Sequence, residues 1–342
     1  MDLQNLAESL DASIAAHAFS GVVSIRRRDD VLFERAAGFA DRSNRVANTL
    51  ATRFGIASGT KFFTALAIGK LMVAGKLALT TRLTDCLARA FPRYSPEITL
   101  QHLLTHTSGI PDYYDEERFT DFDSFFVGRP WYELKGPSDY LAIFPDEAMK
   151  SEPGARFSYS NGGYILLGVV IEAVTGRTYR EFVEQEIFQA VGMQRSGFFA
   201  FNHLPEQTAF GYIEDSGGWR TNIYNLPIIG ASDGGAYTTI NDLALLWKAF
   251  WGNQILPQAW TERFAAPYVR AETEGPQTSY GHGLWITVEA DGRRETYITG
   301  GDAGVSFWSG VRQATDLQVT VISNTTEGTW PVMRDIRRLL LA

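Results

Sequence analysis

Three short stretches set nucleophilic and proton-transfer groups at defined spacings. The first is Ser58-Gly59-Thr60-Lys61. A serine hydroxyl is a weak nucleophile at neutral pH and needs a partner that removes its proton. On a helix, a lysine three residues further on lies one turn away on the same face. Partial burial would lower the lysine pKa and let the amine act as a base. A helix start at Ser58 would add a positive dipole end and free N–H groups beside the nucleophile. Taken alone, the motif is weak and reads more readily as a capping serine with a solvated lysine.

The second stretch is Phe157-Ser158-Tyr159-Ser160-Asn161. A tyrosine at a loop-to-helix junction can present its hydroxyl to a cleft. Beside an ammonium group its pKa is expected to fall, so that it can carry a proton to a leaving group. The Asn161 amide can bind both the lysine and a substrate carbonyl. The plainer reading is a core aromatic followed by a helix cap. The third stretch is Thr299-Gly300-Gly301-Asp302-Ala303-Gly304. Glycines on a sheet edge allow a ligand to lie close to the backbone. A backbone N–H there can pair with that of Ser58 to hold an oxyanion. A hairpin turn would read the same way.

These groups must be positioned by the elements around them. An amphipathic helix is expected over about the first 20 residues, with Leu3, Leu6, Leu10 and Ile14 on one face. Strands are expected at 21–26 and 31–39. Helices are expected after Ser58 (stopped at Gly75), after Thr99 as cap, over 161–175 with Gly176 as stop, over 179–190, and over 241–251 with Asn241 as cap. Strand patterns return at Gly283–Val288, Glu295–Thr299, Val305–Trp308 and Leu317–Ser323, and a final helix covers about 331–341. Strands therefore sit at both ends and helices in the middle. The expected fold is α/β (α+β): one antiparallel sheet built from both chain ends, flanked by helices, with a mostly helical lobe. One catalytic domain is expected, its sheet part about 1–57 and 270–342 and its helical part about 58–269. A ligand belongs in the cleft between them.

Composition narrows the class. The chain has 342 residues, 45% hydrophobic and 20% charged, which is ordinary for a globular protein. Net charge is -8, and Arg26-Arg27-Arg28 is followed at once by Asp29-Asp30, so nucleic acid is not an expected partner. No stretch is apolar and long enough to span a bilayer, and the N-terminus lacks a signal-peptide pattern, so a cytoplasmic protein without membrane contact is expected. The single cysteine, Cys86, excludes an internal disulfide and multi-thiolate sites, and reads as a small buried hydrophobe. His102 and His106 are four apart, but no third ligand has a recognisable spacing, so no metal is expected. His282 precedes a predicted strand and reads as structural. Residues 112–150 are rich in aromatics and acids and read as an irregular excursion that lines an acyl pocket, forms a packed lid, or makes a dimer surface. No signature of an oligomeric state is present.

The order of the three stretches resembles that of the penicillin-recognising serine hydrolases, whose signature is Ser-x-x-Lys, a middle element and Lys-Thr-Gly. The likeness runs along nearly the whole chain. It includes Phe54-Gly55-Ile56-Ala57-Ser58, Gly75-Lys76-Leu77-Ala78-Leu79 and Leu103-Leu104-Thr105-His106-Thr107-Ser108-Gly109-Ile110-Pro111. Pro153-Gly154, Gly162-Gly163-Tyr164, Leu167-Gly168, Thr175-Gly176, Gly192-Met193, and Gly234–Thr239 with Asp242-Leu243 continue it. The resemblance implies Ser58 as the acylated residue and Lys61 and Tyr159 as the acid/base pair. It implies Asn161, Thr299, Gly300 and Gly301 as substrate contacts, with the N–H groups of Ser58 and Gly301 as oxyanion hole, and no cofactor. One departure stands out: where family members carry Lys or His before Thr-Gly, this chain has Ile298. The cation that favours a substrate carboxylate is missing unless an arginine from elsewhere replaces it. The expected activity is therefore hydrolysis of a neutral ester, amide or short peptide. A β-lactamase or D,D-carboxypeptidase is the first alternative, and an acyl-trap binding protein or inactive scaffold the second.

Overall fold

The computed structural model describes residues 3–87, 91–119, 121–271, 277–289 and 291–341. Helix α1 (Leu3–Ala16) precedes the hairpin β1 (Gly21–Arg27) and β2 (Asp30–Ala37). Six further strands come from the other end of the chain: β3 (Val269–Arg270), β4 (Gln277–Tyr280), β5 (Trp285–Val288), β6 (Arg294–Asp302), β7 (Val305–Arg312) and β8 (Leu317–Ser323). They form one sheet in the order β2-β1-β8-β7-β6-β5-β4-β3. Every neighbouring pair is antiparallel, and β1 joins the two ends of the chain by pairing with β8 from Gly21↔Ser323 to Arg27↔Leu317.

The side-chain period of two sorts the sheet residues onto two cores. Val23, Val321 and Trp308 face α1 and α6 (Thr329–Ile336), where they meet Leu6, Leu10, Ile14, Val332 and Ile336. Val22, Ile322 and Phe307 face the opposite way, into the main core with the helices that carry the site. Those helices are α2 (Thr60–Val73), α3 (Leu100–Leu104), α4 (Asn161–Thr175) and α5 (Ile240–Trp251). α2 is buried nearly all round, so its position is set by packing rather than by an amphipathic face. Phe62 stacks on Trp247 of α5 at 5.7 Å, and the Trp247 indole donates to Ser309 Oγ on β7 at 2.9 Å.

Chain punctuation follows expectation at most places. Gly75 and Gly176 take left-handed φ values of 70° and 68° just past α2 and α4, and Thr99 caps α3 by accepting the His102 N–H. The cap of α5 is a correction: it is Thr239, not Asn241. The Thr239 hydroxyl accepts the Asp242 N–H at 3.2 Å, while the Asn241 amide oxygen is taken by Arg26 Nη2 at 2.6 Å. Among the described residues of 112–150 the helical pieces are short turns, Phe122–Ser124, Trp131–Glu133 and Pro137–Tyr140. Cys86 is half-buried, and burial pushes its thiol pKa up, which fits a packing role. No helix among the described residues is long and apolar enough to cross a membrane.

Phe307 links the sheet to the Ser58 turn, since a Cβ on Gly59 would lie 2.4 Å from its ring. Phe307→Ala, at a fully buried position, is expected to cost about 3–5 kcal/mol in a urea unfolding titration.

Candidate active site

Ser58 sits in a single 3-10 turn, Ala57–Gly59, that feeds directly into α2. Ala57 takes φ 44°, a left-handed conformation that a Cβ makes costly. The turn is held from both sides. The Thr60 hydroxyl donates to Ala57 O at 2.7 Å and accepts the Ala236 N–H at 2.9 Å, and Ile56 N donates to Ala236 O at 3.0 Å. The strand β6 closes the other side. Beyond Tyr297 its residues pair only with β7, so the second edge is free to face Ser58. A Cβ on Gly300 would lie 2.3 Å from Ile56 O and 2.8 Å from Ser58 N. Only glycine lets the strand approach the nucleophile this closely. Gly301 has no such constraint, and a Cβ there would make ordinary contacts at 3.7 Å.

Lys61 is 1% exposed. Its Nζ lies 2.9 Å from Ser58 Oγ, 2.7 Å from Asn161 Oδ1 and 2.7 Å from Asp233 O. The Asn161 amide is oriented by its other end, where Nδ2 donates to Tyr114 O and Glu116 Oε1, both at 3.1 Å. Its oxygen must therefore face the lysine. Two of the three partners can only accept. A neutral amine in this place gives both its N–H groups to Asn161 and Asp233, and its lone pair is left for the Ser58 hydroxyl. Burial lowers the Lys61 pKa from its ordinary value, more than Asp233, Glu116, Asp112 and Asp302 together raise it.

Tyr159 comes from the other lobe of the site, at the mouth of α4. Its hydroxyl is within hydrogen-bonding reach of Ser58, and its ring centroid lies 5.0 Å from Lys61 Nζ. The segment is pinned by His106, which takes φ 55°. His106 O accepts the Ser158 N–H at 2.8 Å, its Nδ1 accepts the Ser160 N–H at 3.0 Å, and its ring packs on Tyr159 at 4.2 Å. Burial and then Lys61 hold the His106 pKa well below the usual value, so the ring is neutral and structural. His282 is likewise buried, stacked on Phe264, with its pKa pushed down to about 4 by burial.

The expected fall in the Tyr159 pKa is overturned. Burial first, and the Glu116 charge second, hold it well above the ordinary value. The Lys61 amine that was to lower it is itself shifted towards neutrality. The expected substrate contacts divide. Asn161 Oδ1 meets Lys61 Nζ and Gly300 lies against the Ser58 turn, Gly301 follows it on β6, and the Thr299 hydroxyl donates to Phe307 O at 2.9 Å. Ile298 is buried in the main core at 2% exposure, so no cation stands at that place.

Several site residues were missed in the sequence. Asp112 accepts the N–H groups of Asn161 and Gly162 and so fixes the mouth of α4; burial raises its pKa to about 7. Tyr113 donates its hydroxyl to Asp233 Oδ2. Glu116, whose Oε1 accepts from Asn161 Nδ2, was missed as well. A capping aspartate 49 residues away in sequence leaves no local pattern, and neither does a main-chain carbonyl such as that of Asp233. Beside Ala57 and Asp233 opens a cavity of about 90 Å³ that Tyr113 and Tyr140 of the aromatic excursion help to line, while Phe126 and Tyr132 are exposed.

A Beta-lactamase family model matches residues 4–342. The chain belongs to the Beta-lactamase family. It is a β-lactamase-fold serine hydrolase by family. A solved penicillin-binding protein from Bacillus halodurans is 43% identical with a TM-score of 0.90, covering 97% of this chain and 100% of that one. Penicillin-binding protein 4* of Bacillus subtilis (strain 168) is 28% identical over 321 residues, which is 89% of this chain and 67% of that protein. Further curated relatives are matched over 62% and 38% of their own length. D-amino acid amidase from Ochrobactrum anthropi SV3 shares the fold at 23% identity and a TM-score of 0.81, covering 100% of this chain and 98% of that one.

In this β-lactamase-family chain, Gly300→Ala is expected to push β6 off the Ser58 turn. Labelling of Ser58 by a fluorophosphonate should slow about 100-fold while the circular dichroism spectrum is kept.

Proposed function

We propose that this chain hydrolyses a carboxylic ester, an amide or a short peptide through an acyl-enzyme on Ser58. The observation that carries the proposal is the buried Lys61 amine, 2.9 Å from Ser58 Oγ with its other two hydrogen-bonding directions already engaged. Lys61 takes the serine proton as Oγ attacks the carbonyl. The N–H groups of Ser58 and Gly301 hold the oxyanion. Tyr159, kept protonated by its raised pKa, gives its proton to the leaving group and regains one from Lys61. Water then attacks the ester on Ser58, its proton passing to the same pair, and the acid leaves as Ser58 regains a hydrogen. No step needs a metal or cofactor.

A second reading, acylation by penicillin or a peptidoglycan peptide, is favoured by the likeness to the Bacillus halodurans penicillin-binding protein. The buried Ile298 in place of a cation speaks against it. A fluorescent penicillin separates the two: rapid turnover supports the second reading. A stable adduct without any ester turnover would instead mark an acyl trap.

p-Nitrophenyl butyrate is expected to be turned over, and Ser58→Ala to abolish it; turnover that survives the change sinks the assignment. The neutral amine is the reactive form of Lys61, and its pKa is lowered from 10.5. The rate should therefore rise with pH as Lys61 loses its proton and level off below the pH of a free lysine. In Lys61→Ala, the rate should drop about 100-fold or more and that rising limb should vanish.

A further inference from the structure

A row of aromatic rings runs up to Tyr159. Trp285 is the first residue of β5 and pairs with Tyr297 on β6. Beyond that pair β6 is bonded only to β7, so Trp285 stands where the free edge leading to Gly300 begins. Its ring lies nearly parallel to that of Tyr159, at 6.3 Å and 14°, and to that of Tyr297, at 6.4 Å and 13°. Phe157 stands across it at 5.9 Å and 63°. Buried rings anchor the row: Trp308 lies 5.4 Å from Tyr297, and Tyr280 lies 4.9 Å from Trp285.

The row itself is not fully covered. Phe157, Tyr159, Trp285 and Tyr297 are each half-buried, unlike the rings that anchor them. Ring surface left in water beside a catalytic group is surface that a ligand can still cover. Position decides which part of a ligand does so. In the proposed reaction the Tyr159 hydroxyl faces Ser58 and protonates the leaving atom. Whatever is bonded to that atom then lies in the surroundings of Tyr159. Of the rings packed on Tyr159, His106 at 4.2 Å is fully buried and closed to a ligand, whereas Trp285 is accessible. Neither Trp285 nor the buried Ile298 beside Tyr297 brings charge to this end of the edge. The group that fits is therefore uncharged, apolar and flat.

We propose that Trp285, flanked by Phe157 and Tyr297, is a stacking platform for the leaving group, so that the preferred substrates are aryl esters or anilides with an uncharged ring. The proposal rests on the hydrolase reading for its catalytic meaning, but its test is a binding measurement. The Ser58→Ala protein is titrated calorimetrically with N-phenylbutanamide, N-cyclohexylbutanamide and N-methylbutanamide, which share one acyl group and differ only in what leaves. The anilide should bind about tenfold or more tighter than the N-methyl amide, because a ring is buried. It should bind about threefold tighter than the cyclohexyl amide, because that ring is flat. Trp285→Leu in the same background keeps apolar bulk without a ring, and should reduce the first ratio to about threefold or less. No measurable binding of the anilide, an anilide bound no tighter than either other amide, or a first ratio unchanged by Trp285→Leu would each overturn the platform. The comparison of the three amides needs no change at position 285, so it decides the matter even where Trp285→Leu does not fold. Turnover of p-nitrophenyl butyrate by the unsubstituted protein scores the hydrolase reading separately, whatever the titration gives.

Discussion

One buried amine sets the terms for the rest of this structure. Lys61 is taken out of water inside the main core, where an isolated ammonium would be prohibitively expensive. The fold resolves this by supplying oxygen atoms from three separate stretches: the turn before α2, the first residue of α4, and the main chain at Asp233. Each source is itself tied down. Asp112 holds the start of α4, the Glu116 and Tyr114 acceptors orient the Asn161 amide, and Tyr113 holds the Asp233 side chain. The result is an amine whose neutral form already has its lone pair in place. On the proposed mechanism nothing would have to reorganise before the serine proton moves, which is where electrostatic preorganisation has its largest effect.

The sheet has to meet that amine at a fixed distance, and this explains the glycines on β6. A strand edge carrying side chains could not lie against the Ile56–Ser58 backbone. Gly300 removes the obstruction from the strand, and Gly59 removes it from the turn, where Phe307 occupies the space instead. Because β1 and β8 lock the two chain ends together across the same sheet, any shift of β6 is resisted over eight strands. Positional precision at Ser58 is thus a property of the sheet rather than of the loop that carries it.

Local signals in the sequence were read well, and distant ones were not. The Ser58–Lys61 spacing reports directly on one helical turn, and strand patterns at both ends of the chain sufficed for the antiparallel sheet. The placement of Tyr159 and Asn161 needed the resemblance, since nothing local says that α4 starts beside α2. Asp112 and Asp233 were invisible because they act through backbone groups far away in sequence. The Tyr159 pKa was misjudged for a physical reason: the expectation counted the nearby amine as a full charge and ignored burial and Glu116, which both favour the neutral phenol. Thr239 rather than Asn241 caps α5 because a strand arginine, Arg26, competes for the Asn241 oxygen.

Asp233, Glu116, Asp112 and Asp302 all raise the Lys61 pKa and so oppose the desolvation that lowers it. This opposition has a structural use: carboxylates grouped around a buried amine offset part of the cost of taking it out of water, so the amine stays compatible with folding while burial still decides the direction of its shift.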